Sequence, residues 1–119
     1  MSEIKDKKIF IYAIASKRDI GGNEIKGRKY IHSKLGLWAY AREMSEREKF
    51  SAKAAGAEFS TVFKVNYNKK IMAGQYLEFN GKTFLIESID GFEYYKRDLT
   101  LNAKRIVPET AVYDEYDEQ

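Results

Sequence analysis

LWAYAREMSEREKFSAKAAG, residues 37–56, changes its period halfway along. In its first part Trp38, Tyr40 and Arg42 fall on one side of an extended chain and Ala39 and Ala41 on the other, which is strand spacing. Then Ser45-Glu46-Arg47-Glu48 matches a capping box. The Ser45 hydroxyl is placed to accept from the Glu48 backbone N–H, and the Glu48 carboxylate to reach back to the Ser45 N–H. Glu46 and Glu48 also suit the positive end of a helix dipole. Ala52, Ala54 and Ala55 favour helix and Gly56 stops it, so a helix is expected over Glu46–Ala55. Its apolar content is thin: Phe50, with Ala54 one turn later. Such a helix forms no core by itself. It must dock on a sheet or on another subunit.

The flanks are strands. In residues 57–67, AEFSTVFKVNY, the positions Phe59, Thr61, Phe63, Val65 and Tyr67 face one way. Asn68-Lys69-Lys70 reads as a turn, and Gln75–Phe79 as the next strand. Asn80-Gly81 is the strongest short hairpin signal in the chain, with Lys82–Ile89 returning. Asp90-Gly91 turns again, and a last strand over about Tyr94–Ile106 places Leu99, Leu101 and Ala103 inward. On the N-terminal side, Lys7–Ala15 (KKIFIYAIA) alternates Ile9, Ile11 and Ala13 against Phe10, Tyr12 and Ile14. Residues 16–29, SKRDIGGNEIKGRK, carry three Gly, mixed charge and no apolar period, and are expected as a long mobile loop.

The fold expected is therefore mainly β. It is a small antiparallel barrel or two-sheet sandwich of about six strands with one inserted short helix. Length agrees: 119 residues suit one domain, here residues 1–107, followed by an acidic, disordered tail at 108–119. All 21 Lys and Arg precede Val107, while five of the 18 acids follow it, which leaves +8 on the body and −5 on the tail. A basic body attracts nucleic acid or acidic protein surfaces, although most charge runs are simply solvated. The apolar run Ile9–Ala15 is too short for a membrane span and lacks a signal-peptide layout, so a soluble protein made in the cytoplasm is expected.

Catalytic chemistry is hard to assemble from these residues. Without Cys there is no thiol nucleophile, disulfide or thiolate metal site. The single His32 has no metal-ligand spacing to acids and reads as a surface or partly buried strand residue. No serine lies in a nucleophile elbow, and no phosphate loop surrounds Gly21, Gly22 or Gly27. Glu46 and Glu48 suit capping better than acid–base work. No enzyme and no cofactor are expected. Single-strand nucleic-acid binding is the alternative the composition keeps open: Tyr76, Phe79, Phe84, Tyr94 and Tyr95 are placed either to stack bases or to fill a core. The scatter of basic residues among acids weighs against a binding stripe.

The order of these pieces resembles a known family. Trp38-Ala39-Tyr40-Ala41-Arg42 with Met44-Ser45-Glu46-Arg47-Glu48, the Ala-rich helix, Ile71–Ile86 and the closing Lys96–Ala103 together are similar to phage head–tail joining proteins, also called head–tail adaptor, head-closure or stopper proteins. The likeness spans about residues 7–106. The chain departs from the pattern at Gln75, where a basic residue is usual, and at Glu46, where a small one is.

The resemblance implies a structural virion protein. It would assemble as a ring below the portal or its adaptor, help retain packaged DNA and offer a docking face to the tail-terminator or tail proteins. It would be made in the host bacterial cytoplasm, sit at the head–tail interface, need no membrane, and exist as a monomer when isolated. A tail-completion protein of similar fold is a further alternative. In this picture Arg42, Arg47, Lys49, Phe50 and Lys53 are candidate subunit or partner contacts, unless the helix is a lid on its own domain. Lys17, Arg18, Gly21, Gly22, Lys26, Gly27 and Arg28 belong to the candidate mobile or channel loop.

Overall fold

The computed structural model describes residues 4–54, 56, 60–91 and 98–117. Its elements run β1 (Lys7–Arg18), β2 (Glu24–Tyr30), β3 (Leu37–Glu43), α1 (Glu46–Ala54), β4 (Thr61–Val65), β5 (Tyr76–Phe79), β6 (Lys82–Asp90), β7 (Leu99–Ile106) and β8 (Tyr113–Glu115). The eight strands form one sheet in the order β3-β4-β7-β6-β5-β1-β2-β8. A further pairing of β3 with β1, Lys7↔Ala39 to Ile9↔Leu37, closes six of them into a ring.

The ring follows from alternation. Ile9, Ile11, Ala39, Phe63, Val65, Leu77, Phe84, Ile86, Leu101 and Ala103 are all less than 5% exposed and form one cluster. Each comes from the inward positions of its strand, so the inward face of β7 expected from Leu99, Leu101 and Ala103 is the observed one. The β5–β6 hairpin turns at Asn80-Gly81, where both residues have positive φ (53° and 75°), as a two-residue primed turn needs. A register shift between Ile86 and Ser88 on β6 adds the local bend that a closing sheet requires.

Two expectations are corrected. Residues 16–29 are not one loop. β1 continues to Arg18 and returns as β2 with pairs from Tyr12↔Tyr30 to Arg18↔Glu24, leaving only residues 19–23 as a turn. Lys17 and Arg18 lie on β1, Lys26, Gly27 and Arg28 on β2, and only Gly21 and Gly22 on the turn. A mixed charged sequence forms strand here because cross-strand pairing with the apolar β1 decides the conformation. Nor is the tail unstructured. Its residues 113–115 form β8, parallel to β2 with Gly27↔Tyr113, Arg28↔Asp114 and Lys29↔Glu115 in register. The Tyr94 and Tyr95 positions and Phe59 lie outside the described residues.

β1 thus belongs to two bodies. Along one edge it pairs first with β3 in the ring and then with β2 in the hairpin. The change of partner leaves the Ile11 N–H without a strand acceptor. His32 supplies one: its Nε2 accepts from the Ile11 N–H at 2.8 Å, while Nδ1 lies 2.8 Å from the Ser33 carbonyl. Those two contacts require the neutral ring with the proton on Nδ1. His32 is 7% exposed, and burial lowers its pKa.

Candidate interaction surfaces

Two surfaces leave the ring, one on each side. The first is α1. Its start is fixed locally: the Glu48 N–H donates to Ser45 Oγ at 3.2 Å, and Glu48 Oε1 accepts from the Ser45 N–H at 3.1 Å. The same carboxylate takes a two-pronged bond from Arg42 on β3, at 2.8 and 3.0 Å. These bonds, Arg42 first and the Ser45 N–H next, hold the Glu48 pKa down at about 2. Arg42 is therefore engaged with the helix start, and it ties α1 to β3.

Most of the other described side chains of α1 face solvent. Phe50 is 76% exposed, and Arg47, Lys53 and Ala54 are exposed with it. Lys49 lies 4.0 Å from Glu46 on the same helix. No described strand packs against α1. Near the start of β3, Trp38 projects outward, 56% exposed, with the Lys8 ammonium 4.0 Å over its ring. The structure thus places Arg47, Lys49, Phe50 and Lys53 on α1 and ties Arg42 of β3 to the helix start, with Phe50 uncovered.

The second surface is the β1–β2 hairpin with β8 along its edge. Gly27 is the key position. A Cβ there would stand 2.4 Å from the Tyr113 ring, so only glycine lets that ring lie flat on β2. The Lys17 ammonium sits 4.0 Å from the centroid of the same ring. Further along, Tyr116 stacks on Tyr30 with centroids 4.6 Å apart and planes 7° from parallel. Tyr30 in turn donates its hydroxyl to Glu78 and leans on Tyr12, which stacks with Tyr76. Burial first, and the bond to Glu78 second, raise the Tyr30 pKa, so the phenol stays protonated.

Each described acid of the tail meets a cation. Glu115 lies 3.7 Å from Lys17, Glu109 lies 3.7 Å from Lys26, Asp114 lies 3.6 Å from Arg28, and Asp117 bonds Lys70. The charge asymmetry in the sequence is thus spatial complementarity. Beside the tail, Ala13, Lys29, Tyr30, Ile31, Lys70 and Tyr116 line an open cleft of about 650 Å³.

Among the described residues there is no group of three or more His, Cys, Asp or Glu that could hold a metal, and no helix is long and apolar enough to cross a membrane. The described aromatic residues considered for base stacking, Tyr76, Phe79 and Phe84, are engaged in packing. Phe84 is 4% exposed in the core, Phe79 packs on Phe63, and Tyr76 on Tyr12.

Residues 6–106 match the family model described as phage head completion protein. The chain belongs to that family. Its members are structural proteins of the virion, so this one is a head completion protein that works against other virion components. The fold has a solved counterpart in protein SF1141 from Shigella flexneri 2a, determined in solution. The two share 20% identity with a TM-score of 0.67, over 87% of this chain and 94% of that one. At that identity the likeness concerns the fold alone. Comparison with curated proteins gives no match.

Two features of this head completion protein are not evident from the pattern of its sequence. His32 carried no visible signal, because its role depends on where β1 changes partners. The tail site did carry one: the −5 charge beyond Val107 opposite a +8 body, together with Gly27 in an otherwise bulky stretch.

Proposed function

We propose that this head completion protein is a connector that assembles as a ring below the portal or its adaptor, helps retain packaged DNA and gives the tail its docking surface. Family membership supports the place of action. The observation on this chain that carries the assembly reading is α1, which stands off the ring with Phe50 uncovered among Arg47, Lys49 and Lys53. An apolar side chain centred in a charged surface is the pattern of an interface anchor with a polar rim. The basic face matches acidic neighbours on the portal side or DNA in the channel. Single-strand binding gains no support, since the described stacking candidates are used in packing.

Deletion of the gene followed by electron microscopy of the lysate tests the reading. Separate tails beside tailless heads, many of them empty, are the expected result. DNA-filled heads without tails would assign tail attachment without closure. Normal infectious particles would overturn the connector role.

A further inference from the structure

The β8 site on β2 is more elaborate than a frayed end needs. It has a glycine seat for one tyrosine ring, a stacking platform for a second, and a cation for each described acid. It is a receptor for an acidic strand of the form Tyr-Asp-Glu-Tyr-Asp, residues 113–117. What connects that strand to the body is slight. Val107 is 89% exposed and Val112 is 66% exposed, and the residues between Ile106 and Tyr113 reach up to about 25 Å when extended. The strand itself pairs over three residues only, in parallel, with one backbone hydrogen bond beyond each end, Val112 N–H to the Lys26 carbonyl and Asp117 N–H to the His32 carbonyl, and its ion pairs are a third to half open to water. Contacts of that kind are individually weak and exchange readily.

We propose that in the assembled ring this site is filled by the tail of the adjacent copy, so that β8 is exchanged between neighbours. The occupant is a second copy because the receptor is matched residue by residue to this chain's own tail. An exchanged identical element makes the same contacts in trans as in cis, so the exchange costs little. In the free chain the high effective concentration of the attached tail keeps it at home. In a closed ring every copy both gives and receives a tail, and no site is left empty. The inference rests on the ring reading above.

The absence of native cysteine makes a direct test available. Arg28 and Asp114 are register partners, and so are Lys29 and Glu115. Neighbouring strands stand about 4.8 Å apart, within disulfide reach. The double variants Arg28→Cys/Asp114→Cys and Lys29→Cys/Glu115→Cys are oxidised with copper–phenanthroline, first as isolated protein and then within particles. The isolated chains are expected to close internally and run as monomers on a non-reducing gel. The particles are expected to give a ladder of multiples of the 13.8 kDa chain. Two independent pairs guard against one substitution that fails to fold. Only monomeric bands from particles that carry the protein in ring copy number would overturn the exchange and leave the connector reading standing. A cross-link to a different virion protein would overturn it by naming another occupant. Absence of the chain from particles would overturn both.

Discussion

The two excursions from the ring are built by opposite means. α1 is written in adjacent residues. Ser45 and Glu48 satisfy each other's N–H groups three positions apart, and Arg42, also close in sequence, braces the same carboxylate. Yet it buries almost nothing of Phe50. The hairpin with β8 is the reverse. Its strands hold few local signals, but Tyr30, Tyr113 and Tyr116 find partners from far along the chain. One excursion has local form without tertiary cover, and the other has tertiary cover without local form. A protein that works by docking can use both: a preformed projecting surface, and a closed contact that can be handed over.

The joint between ring and hairpin should show the largest effect. In His32→Leu the Ile11 N–H loses its acceptor inside the fold, a cost of about 1–3 kcal/mol. Urea unfolding should shift to a lower midpoint without a change of slope. The pH dependence has a definite sign. Burial lowers the His32 pKa in the folded chain, so the unfolded chain takes up the proton first. The contribution is complete above the unfolded value near 6.5 and is lost as pH falls through that value towards the folded one. The wild type should therefore weaken in this window more than His32→Leu does. Equal slopes would remove His32 from the joint.

Next comes the tail. Gly27→Val puts a side chain where the Tyr113 ring lies. β8 should detach, at a loss of about 1 kcal/mol, the scale of one aromatic contact. Hydrogen exchange at Val112, whose N–H donates to the Lys26 carbonyl, should rise sharply while Phe63 and Leu101 stay protected. Slowed exchange at Val112 would mean the ring of Tyr113 is better seated elsewhere.

Why one side was legible and the other was not follows from these same residues. The capping box, the Asn80-Gly81 turn and the inward alternation of β4 and β7 are short-range codes, and they predict what is found. In sequence the hairpin looks like a loop because Lys17, Arg18, Lys26 and Arg28 hide the period. Lys26 and Arg28 lie on β2, whose outer edge meets the acidic tail, and Lys17 reaches the same tail from β1, so these charges are the consequence of a pairing no local window contains. The ring closure of β3 on β1 is equally non-local, and alternation alone leaves barrel and sandwich open.

Ser45→Ala should cost α1 about 1 kcal/mol of local stability, seen as faster exchange at the Lys49 N–H, which bonds the Ser45 carbonyl. Global unfolding should barely move, because α1 is not packed on the strands. Acid acts on the same point. Glu48 is held at about 2, below its ordinary value of 4.5, so its share of helix stability is present above 4.5 and drains away as pH falls towards 2. Helix loss at higher pH would show that Arg42 does not hold the carboxylate in solution.

The smallest effect on the isolated chain is the most telling for the comparison. Phe50→Ser removes a ring that is 76% exposed, and an exposed substitution of this kind changes stability by less than about 0.5 kcal/mol. The same change should strongly reduce incorporation into particles, measured as the copy number of the protein per purified head, if Phe50 is the anchor of a contact. The two readings pull apart a lid from an interface. A lid helix would lose stability and leave assembly intact, because its phenyl ring would be seated on its own domain. An interface helix loses assembly and leaves stability intact, because its seat is on another molecule. Unchanged incorporation with unchanged stability would make α1 a solvated spacer, and the difference between the two excursions would then be one of local code alone.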